Sequence, residues 1–337
     1  MKKTASIVAA SLLTTAAFAG SLADQAKEAG LAAIPSSKTE LLKLTDKADN
    51  PITDAKVELG KKLYFDPRLS KSGLISCNTC HNLATGGVDN VSAAIGHQWT
   101  ANPHHLNSPT VYNAVFFSTQ FWDGRSPHLE DQAQGPIQAG PEMAAPKELI
   151  VDRVTSIPAY VHEFKRAYGA NVEITFKKIA DTIAVFERTL VTPSRFDAFM
   201  EGCEKALNDE EKKGLKTFID KGCTACHNGV ALGGTMNTFP VMGKFKYSDV
   251  GDFNSANVKV PTLRNVTETA PYFHNGTVWS LKETIKIMGE TQLGTELTNA
   301  EIDSIHTFLK ALEGEKPQIV YPVLPASTEK TPKPDAK

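Results

Sequence analysis

The sequence predicts a mainly α-helical chain folded as two domains of one type, on three observations. Its 337 residues, 41% hydrophobic and 22% charged, are an ordinary globular composition and enough chain for about two domains, which excludes collagenous, coiled-coil and disordered classes. Helix-patterned stretches recur, whereas convincing strand alternation is scarce. One pentapeptide pattern, C-x-x-C-H, occurs twice, as Cys77-Asn78-Thr79-Cys80-His81 and as Cys223-Thr224-Ala225-Cys226-His227.

From the N-terminus, Lys2 and Lys3 precede an apolar run, Ala5 to Phe18, that ends in the small-residue pattern Ala17-Phe18-Ala19. This reads as a secretory signal peptide over residues 1–19, cleaved after Ala19, and the run is too short and too rich in Ala, Ser and Thr for a membrane anchor. The expected product is an exported, periplasmic, soluble chain. Cleavage removes two lysines and no acid, so the formal charge moves from -2 to 34 basic against 38 acidic residues. Such a balance gives no reason to expect nucleic acid as a partner.

Each pentapeptide follows a helix-patterned stretch, Asp54 to Phe65 before the first and Asp209 to Asp220, capped by Asn208, before the second. Between them, Ile179, Ala180, Ile183, Phe186 and Leu190 form a helical stripe over 175–190 that Pro193 stops. Ser280-x-x-Glu283 and Thr298-x-x-Glu301 are capping boxes that open two further helices, the second with an apolar stripe from Ile302 to Leu312. The expected domains are therefore 20–190, with an N-terminal extension, and 191–322. Residues 323–337 close a segment rich in Pro and Lys and are expected to be an extended or disordered tail.

C-x-x-C-H is the attachment pattern of a c-type haem: two thiols add across the vinyl groups and the adjacent histidine ligates the iron. A thioredoxin-like pair does not need the trailing histidine twice, and a zinc site wants its ligand pairs closer than Cys77 and Cys223. Two cytochrome c-like domains, each with one covalently bound haem, are thus expected. Cys203 is left over and reads as a partly buried structural thiol.

The opposite axial position decides the chemistry, since Met makes a high-potential electron store and an open or displaceable position admits a peroxide. For the second haem the downstream candidates are Met236, Met242 and Met288. The first two follow His227 too closely to wrap round a haem, whereas Met288 lies on a capped helix just before Gly289 and is the expected ligand. For the first haem, histidines 97, 104, 105, 128, 162, 274 and 306 remain, and most are ordinary surface or hydrogen-bonded residues. His97 differs in following His81 closely within a glycine-containing loop, Ile95-Gly96-His97, which could carry a displaceable ligand.

From about Asn50 to Pro322 the chain resembles the bacterial dihaem cytochrome c peroxidases. The resemblance is carried by both haem motifs, Ile95-Gly96-His97, Asn107-Ser108-Pro109-Thr110, Gln120-Phe121-Trp122-Asp123-Gly124-Arg125 and Gly135-Pro136-Ile137-Gln138. It continues through Pro261-Thr262-Leu263-Arg264-Asn265, Pro271-Tyr272-Phe273-His274-Asn275-Gly276 and Met288-Gly289. The resemblance implies a low-potential peroxidatic haem in the N-terminal domain and a high-potential electron-accepting haem in the C-terminal one, with a calcium ion at the domain interface. It implies His81 and a displaceable His97 on the first iron, and His227 and Met288 on the second. It further implies Glu142 as the catalytic carboxylate, Gln132 as its polar partner, Trp122 between the haems, and Asn107, Thr269 and Pro271 as calcium ligands.

Hydrogen peroxide is then the substrate, a small soluble cytochrome c or cupredoxin the electron donor, and a homodimer the expected assembly. Two other readings compete. One is an electron-transferring dihaem cytochrome without turnover, in which Glu142 and Gln132 have no task. The other is a related oxidase of protein tryptophan or tyrosine, whose members carry a tyrosine where Met288 stands.

Overall fold

The computed structural model describes residues 20–104, 106–239 and 257–337. The signal-peptide segment 1–19, His105 and Met242 lie outside the described residues. Within them the chain is helical, with one two-stranded antiparallel ribbon that pairs Met236–Thr238 with Asn257–Lys259 in the register Met236 to Lys259.

The N-terminal core gathers Leu59 and Leu63 of helix Asp54–Phe65, Ile150 and Val154 of Lys147–Thr155, Phe164 of Pro158–Tyr168, and Ile179, Ile183 and Phe186 of Phe176–Glu187. The C-terminal core gathers Leu215 and Phe218 of Asp209–Asp220, Ile285 of Leu281–Gln292, and Ile305 and Phe308 of Asn299–Lys310. The caps are those the sequence announces. Asn208 Oδ1 accepts from the Glu211 amide at 2.9 Å while Glu211 accepts from the Asn208 amide at 3.0 Å, and Ser280 and Thr298 cap their helices through the Glu283 and Glu301 amides.

The two domains repeat one packing device. In each, the helix preceding the haem motif carries a glycine where a later helix crosses it. A Cβ at Gly60 would overlap the Thr182 carbonyl and approach Phe186 Cβ to 2.9 Å, and one at Gly214 would overlap the Ser304 carbonyl and approach Phe308 Cβ to 2.8 Å. Only the missing side chain lets these backbones touch. At the junction Thr192 joins the halves: its hydroxyl accepts from Asn113 Nδ2 at 2.8 Å and from Asn265 Nδ2 at 2.9 Å.

Each chain end packs on the domain remote from it in sequence. Helix Leu22–Glu28 places Ala23 and Ala26 in the C-terminal core, and Leu31 follows them there. The Ile34 amide donates at 2.8 Å to Asp197, which also holds the fully buried Arg264 at 2.7 and 2.9 Å. At the other end, the tail runs along the N-terminal domain without helix or strand. The buried Arg153 guanidinium donates to the carbonyls of Arg68, Ser70 and Lys71 and also to those of Pro332 at 3.2 Å and Lys333 at 3.0 Å, while the Asp335 amide donates to Lys71 O at 3.0 Å. One buried cation surrounded by carbonyls thus replaces the apolar contacts that the tail's composition lacks. Cys203 also departs from expectation: it is exposed, on the turn after helix Arg195–Met200 where Gly202 adopts φ +104°.

Candidate active site

The first attachment motif forms the short helix Cys77–Cys80, which Ser76 caps, and His81 follows it. His81 Nδ1 is hydrogen-bonded to the Pro109 carbonyl at 2.9 Å, and its own carbonyl accepts from the Tyr64 hydroxyl at 2.6 Å. His227, 8% exposed, repeats the arrangement through Nδ1 and the Leu232 carbonyl at 3.3 Å. A carbonyl on Nδ1 fixes the proton there and leaves Nε2 as the ligating atom. Burial lowers the pKa of both rings, that of His227 to about 4, and so holds them in the neutral form a metal requires.

The second motif opens on a cavity of about 330 Å³, lined by Cys223, Cys226, His227 and Met288 among largely apolar neighbours. Helix Leu281–Gln292 presents one face to it, Leu281, Thr284, Ile285, Met288 and Gln292, which is i, i+3, i+4, i+7 spacing. Met236 is elsewhere: its Sδ packs 2.6 Å from where a Cβ on Gly124 would lie. The four cysteines of the two motifs form no disulfide, and each motif sets two thiols and a neutral imidazole together, a donor set that fits a covalent c haem. The haem would be held by Cys77, Cys80 and His81 in the first domain and by Cys223, Cys226 and His227 in the second.

The loops round the first motif bring His97 and Glu142 together, since the His97 amide donates to the Glu142 carbonyl at 2.6 Å. Among the described residues the buried His97 Nδ1 has no hydrogen-bond partner. Burial raises the Glu142 pKa, with Arg125 and His104 drawing it partly back. Gln132 ends helix Leu129–Gln132, and the strand of chain after it returns to the Glu142 loop through Met143 N to Pro136 O at 3.1 Å and Ala145 N to Ile137 O at 2.8 Å.

Trp122 is buried, donates from Nε1 to the Asn107 carbonyl at 2.9 Å, and lies edge-on to His274 at 4.6 Å between ring centroids. Asn107 donates from Nδ2 to Val91 O at 2.8 Å. Asn107, Thr269 and Pro271 all line the same cavity as Trp122. The Asn107 side-chain oxygen and two backbone carbonyls are neutral hard donors, a set that fits calcium in kind and that water would have to complete in number.

Two ionisable groups here escaped the sequence reading. Lys259 is buried in the short ribbon, signalled only by a lysine between two valines. Glu187 continues the apolar stripe of its helix one turn beyond Ile183, which is a legible anomaly in retrospect. Its buried Oε2 has no hydrogen-bond partner among the described residues, and burial, aided by the Glu130 charge, pushes its pKa up to about 8.

Glu187 therefore holds its proton in the folded protein over a range in which the unfolded chain, with a carboxyl pKa near ~4.3, has lost it. Its contribution to stability is intact below about pH 4 and is lost as pH rises toward 8, at a slope of up to about 1.4 kcal/mol per unit. Denaturant midpoints of the holoprotein at several pH values should show this fall, and Glu187→Gln should flatten it. A difference between the two proteins that does not change with pH would refute the assignment.

The family profile for di-haem cytochrome c peroxidase matches residues 54–205, and that for cytochrome c matches residues 211–313. The chain is 46% identical to the cytochrome c551 peroxidase of Pseudomonas aeruginosa, over 96% of this chain and 95% of that one. It is 45% identical to the cytochrome c551 peroxidase of Nitrosomonas europaea, over 85% and 88%. Among solved structures, a MauG-like protein associated with microbial copper homeostasis superposes with a TM-score of 0.70 at 26% identity, over 80% of this chain and 92% of that one. The chain belongs to the dihaem cytochrome c peroxidases, as an enzyme with two c-type haems, one in each of its helical domains.

Proposed function

We propose that the enzyme reduces hydrogen peroxide to two waters at the N-terminal haem site, using two electrons that enter at the C-terminal site from a small reduced cytochrome c or cupredoxin. The observation that carries this reading is the asymmetry of the two sites. His227 and Met288 line one cavity, a pairing suited to a high-potential electron store, whereas the first motif meets the His97 loop through Cys80 Sγ and Ile95 O at 3.7 Å, and His97 is bonded through its backbone to Glu142, whose carboxyl pKa burial raises.

A c haem held by Cys77, Cys80 and His81 would supply the redox chemistry on which peroxide reduction depends. The chain's residues do the rest. His81, oriented by Pro109, holds the proximal side. His97, on a loop, would be the residue that leaves to admit the peroxide. Glu142 then accepts a proton from the peroxide oxygen nearer the iron and returns it to the departing one, with Gln132 orienting the substrate by hydrogen bonding. Trp122 bridges the two sites, and calcium at Asn107, Thr269 and Pro271 holds the domain interface in register. The name of the relatives supports a cytochrome donor, and the Lys2–Ala19 pattern supports a periplasmic location. Among the described residues no helix is long and apolar enough to cross a membrane. The working assembly is a homodimer.

The deciding experiment is an optical and EPR titration of the calcium-loaded holoprotein with one electron equivalent, followed by peroxide. A high-spin signal at one haem that peroxide rapidly oxidises is the expected result. Two low-spin haems that persist and ignore peroxide would make the protein an electron carrier instead.

A further inference from the structure

Lys259 is 2% exposed, in the strand Asn257–Lys259, and its amide donates to the Trp122 carbonyl at 2.8 Å. Its Nζ lies 4.9 Å from the Phe117 ring centroid and 5.9 Å from that of Trp122. The residue lines the cavity that His227 and Met288 share, and its charge also depresses the pKa of His81, so it stands between the two haem sites. Among the described residues the titratable groups that act on it or feel it are Asp123 and His81. Asp123 acts on Lys259 through its charge alone and is itself paired with Arg125 at 2.8 Å.

A buried ammonium needs a countercharge. Two aromatic faces stabilise a cation by their quadrupoles but supply no negative charge, and an ammonium taken out of water without a partner is strongly unfavourable. Among the described residues no carboxylate pairs with the Lys259 ammonium, and burial lowers its pKa to about 8. A haem brings the missing group, since each carries two propionate carboxylates into the pocket.

We infer that Lys259 is a carboxylate-binding residue, whose ammonium pairs with a propionate of the haem lodged between His227 and Met288. The inference rests on that cavity holding a haem and not on the peroxide chemistry. It assigns Lys259 two effects. The pair orients the haem edge toward Trp122, whose carbonyl is tied to the Lys259 backbone. A fixed positive charge beside that edge also disfavours the more positive oxidised haem, and so raises its potential and favours electron uptake at this site.

The test is a potentiometric titration of both haems in the holoprotein, followed optically, for the wild type, Lys259→Met and Lys259→Arg, with thermal melting alongside. The expected result is a lower midpoint for the C-terminal haem in Lys259→Met, a midpoint restored in Lys259→Arg, and a melting temperature reduced in the Met variant. Unchanged midpoints with a raised melting temperature in Lys259→Met would overturn the inference, because that is how a protein responds when an unpaired buried cation is removed. Should the Met variant fail to take up both haems, the wild type decides. A paired Lys259 keeps its proton, so the midpoint stays level from pH 7 to pH 9, whereas a downward break near pH 8 would show an unpaired ammonium losing it. These readouts are potentials, so a failure of the peroxidase reading would leave them interpretable.

Discussion

Glu142→Gln is expected to lower peroxide turnover by about 10²–10⁴-fold, the usual range for removing a positioned general acid-base group, while both haems remain attached and their potentials stay near the wild-type values. Gln keeps the size and the carbonyl oxygen of Glu but cannot take up a proton. The Glu142 pKa is raised by burial, and Arg125 and His104 temper the rise, which brings the carboxyl closer to the working pH than a solvated glutamate would be. Stopped-flow reaction of the half-reduced variant with peroxide, together with steady-state assays, measures the effect. Near-normal turnover would exclude the acid-base role and move attention to Gln132 and His104 on the same side. A variant that loses turnover and one haem together would show a structural role instead, which is why the visible spectrum has to accompany the rate.

The backbone around Glu142 explains why a conservative change there should leave the fold intact. The loop is held by main-chain bonds, Met143 N to Pro136 O and Ala145 N to Ile137 O, and by the Glu142 carbonyl accepting from His97. None of these uses the carboxyl. The same bond ties Glu142 to the His97 loop, so in the proposed mechanism a displacement of His97 would carry the Glu142 backbone with it.

What could be read without coordinates divides along the range of the interactions involved. Helices Asp54–Phe65 and Asp209–Asp220 begin and end where the sequence places them, because caps and apolar periodicity are local signals. The attachment motifs are equally local. The exchange of chain ends is not: Ala23, Ala26 and Leu31 face a core whose other members begin at Phe196, and the tail is held by carbonyls that Arg153 gathers, which no side-chain pattern announces. The meeting of Asn107, Trp122, Thr269 and Pro271 at one cavity likewise joins residues more than 140 positions apart, and it was reachable in advance only through family resemblance. Lys259 and Glu187 share a different obstacle. Each is a charged residue at an apolar position, and its meaning depends on what faces it across the fold.

Met288→His is expected to lower the midpoint potential of the C-terminal haem and with it the enzyme's capacity to take electrons from its donor. Axial ligands tune haem potentials over about 0.8 V, and replacing a thioether by an imidazole moves the potential down within that range. Each 59 mV lost makes one-electron uptake from a given donor about tenfold less favourable, so a drop of about 120 mV would suppress turnover with the protein donor by about 100-fold. The geometry that motivates the choice is the face of helix Leu281–Gln292: with Leu281, Ile285 and Gln292 lining the cavity of His227, Met288 on the same stripe lines it too, while Met236 packs against Gly124. Met236→Leu should therefore leave both potentials unchanged and serves as the control. Single-turnover reaction of the variant, reduced chemically to the half-reduced state before peroxide is added, should remain fast, because Glu142 and the first site are untouched. That split, fast single turnover with lost donor-driven turnover, is the opposite of the Glu142→Gln result, and together the two variants separate electron acceptance from peroxide chemistry. An unchanged midpoint in Met288→His would remove Met288 as the ligand and with it the argument that electrons enter at the C-terminal site.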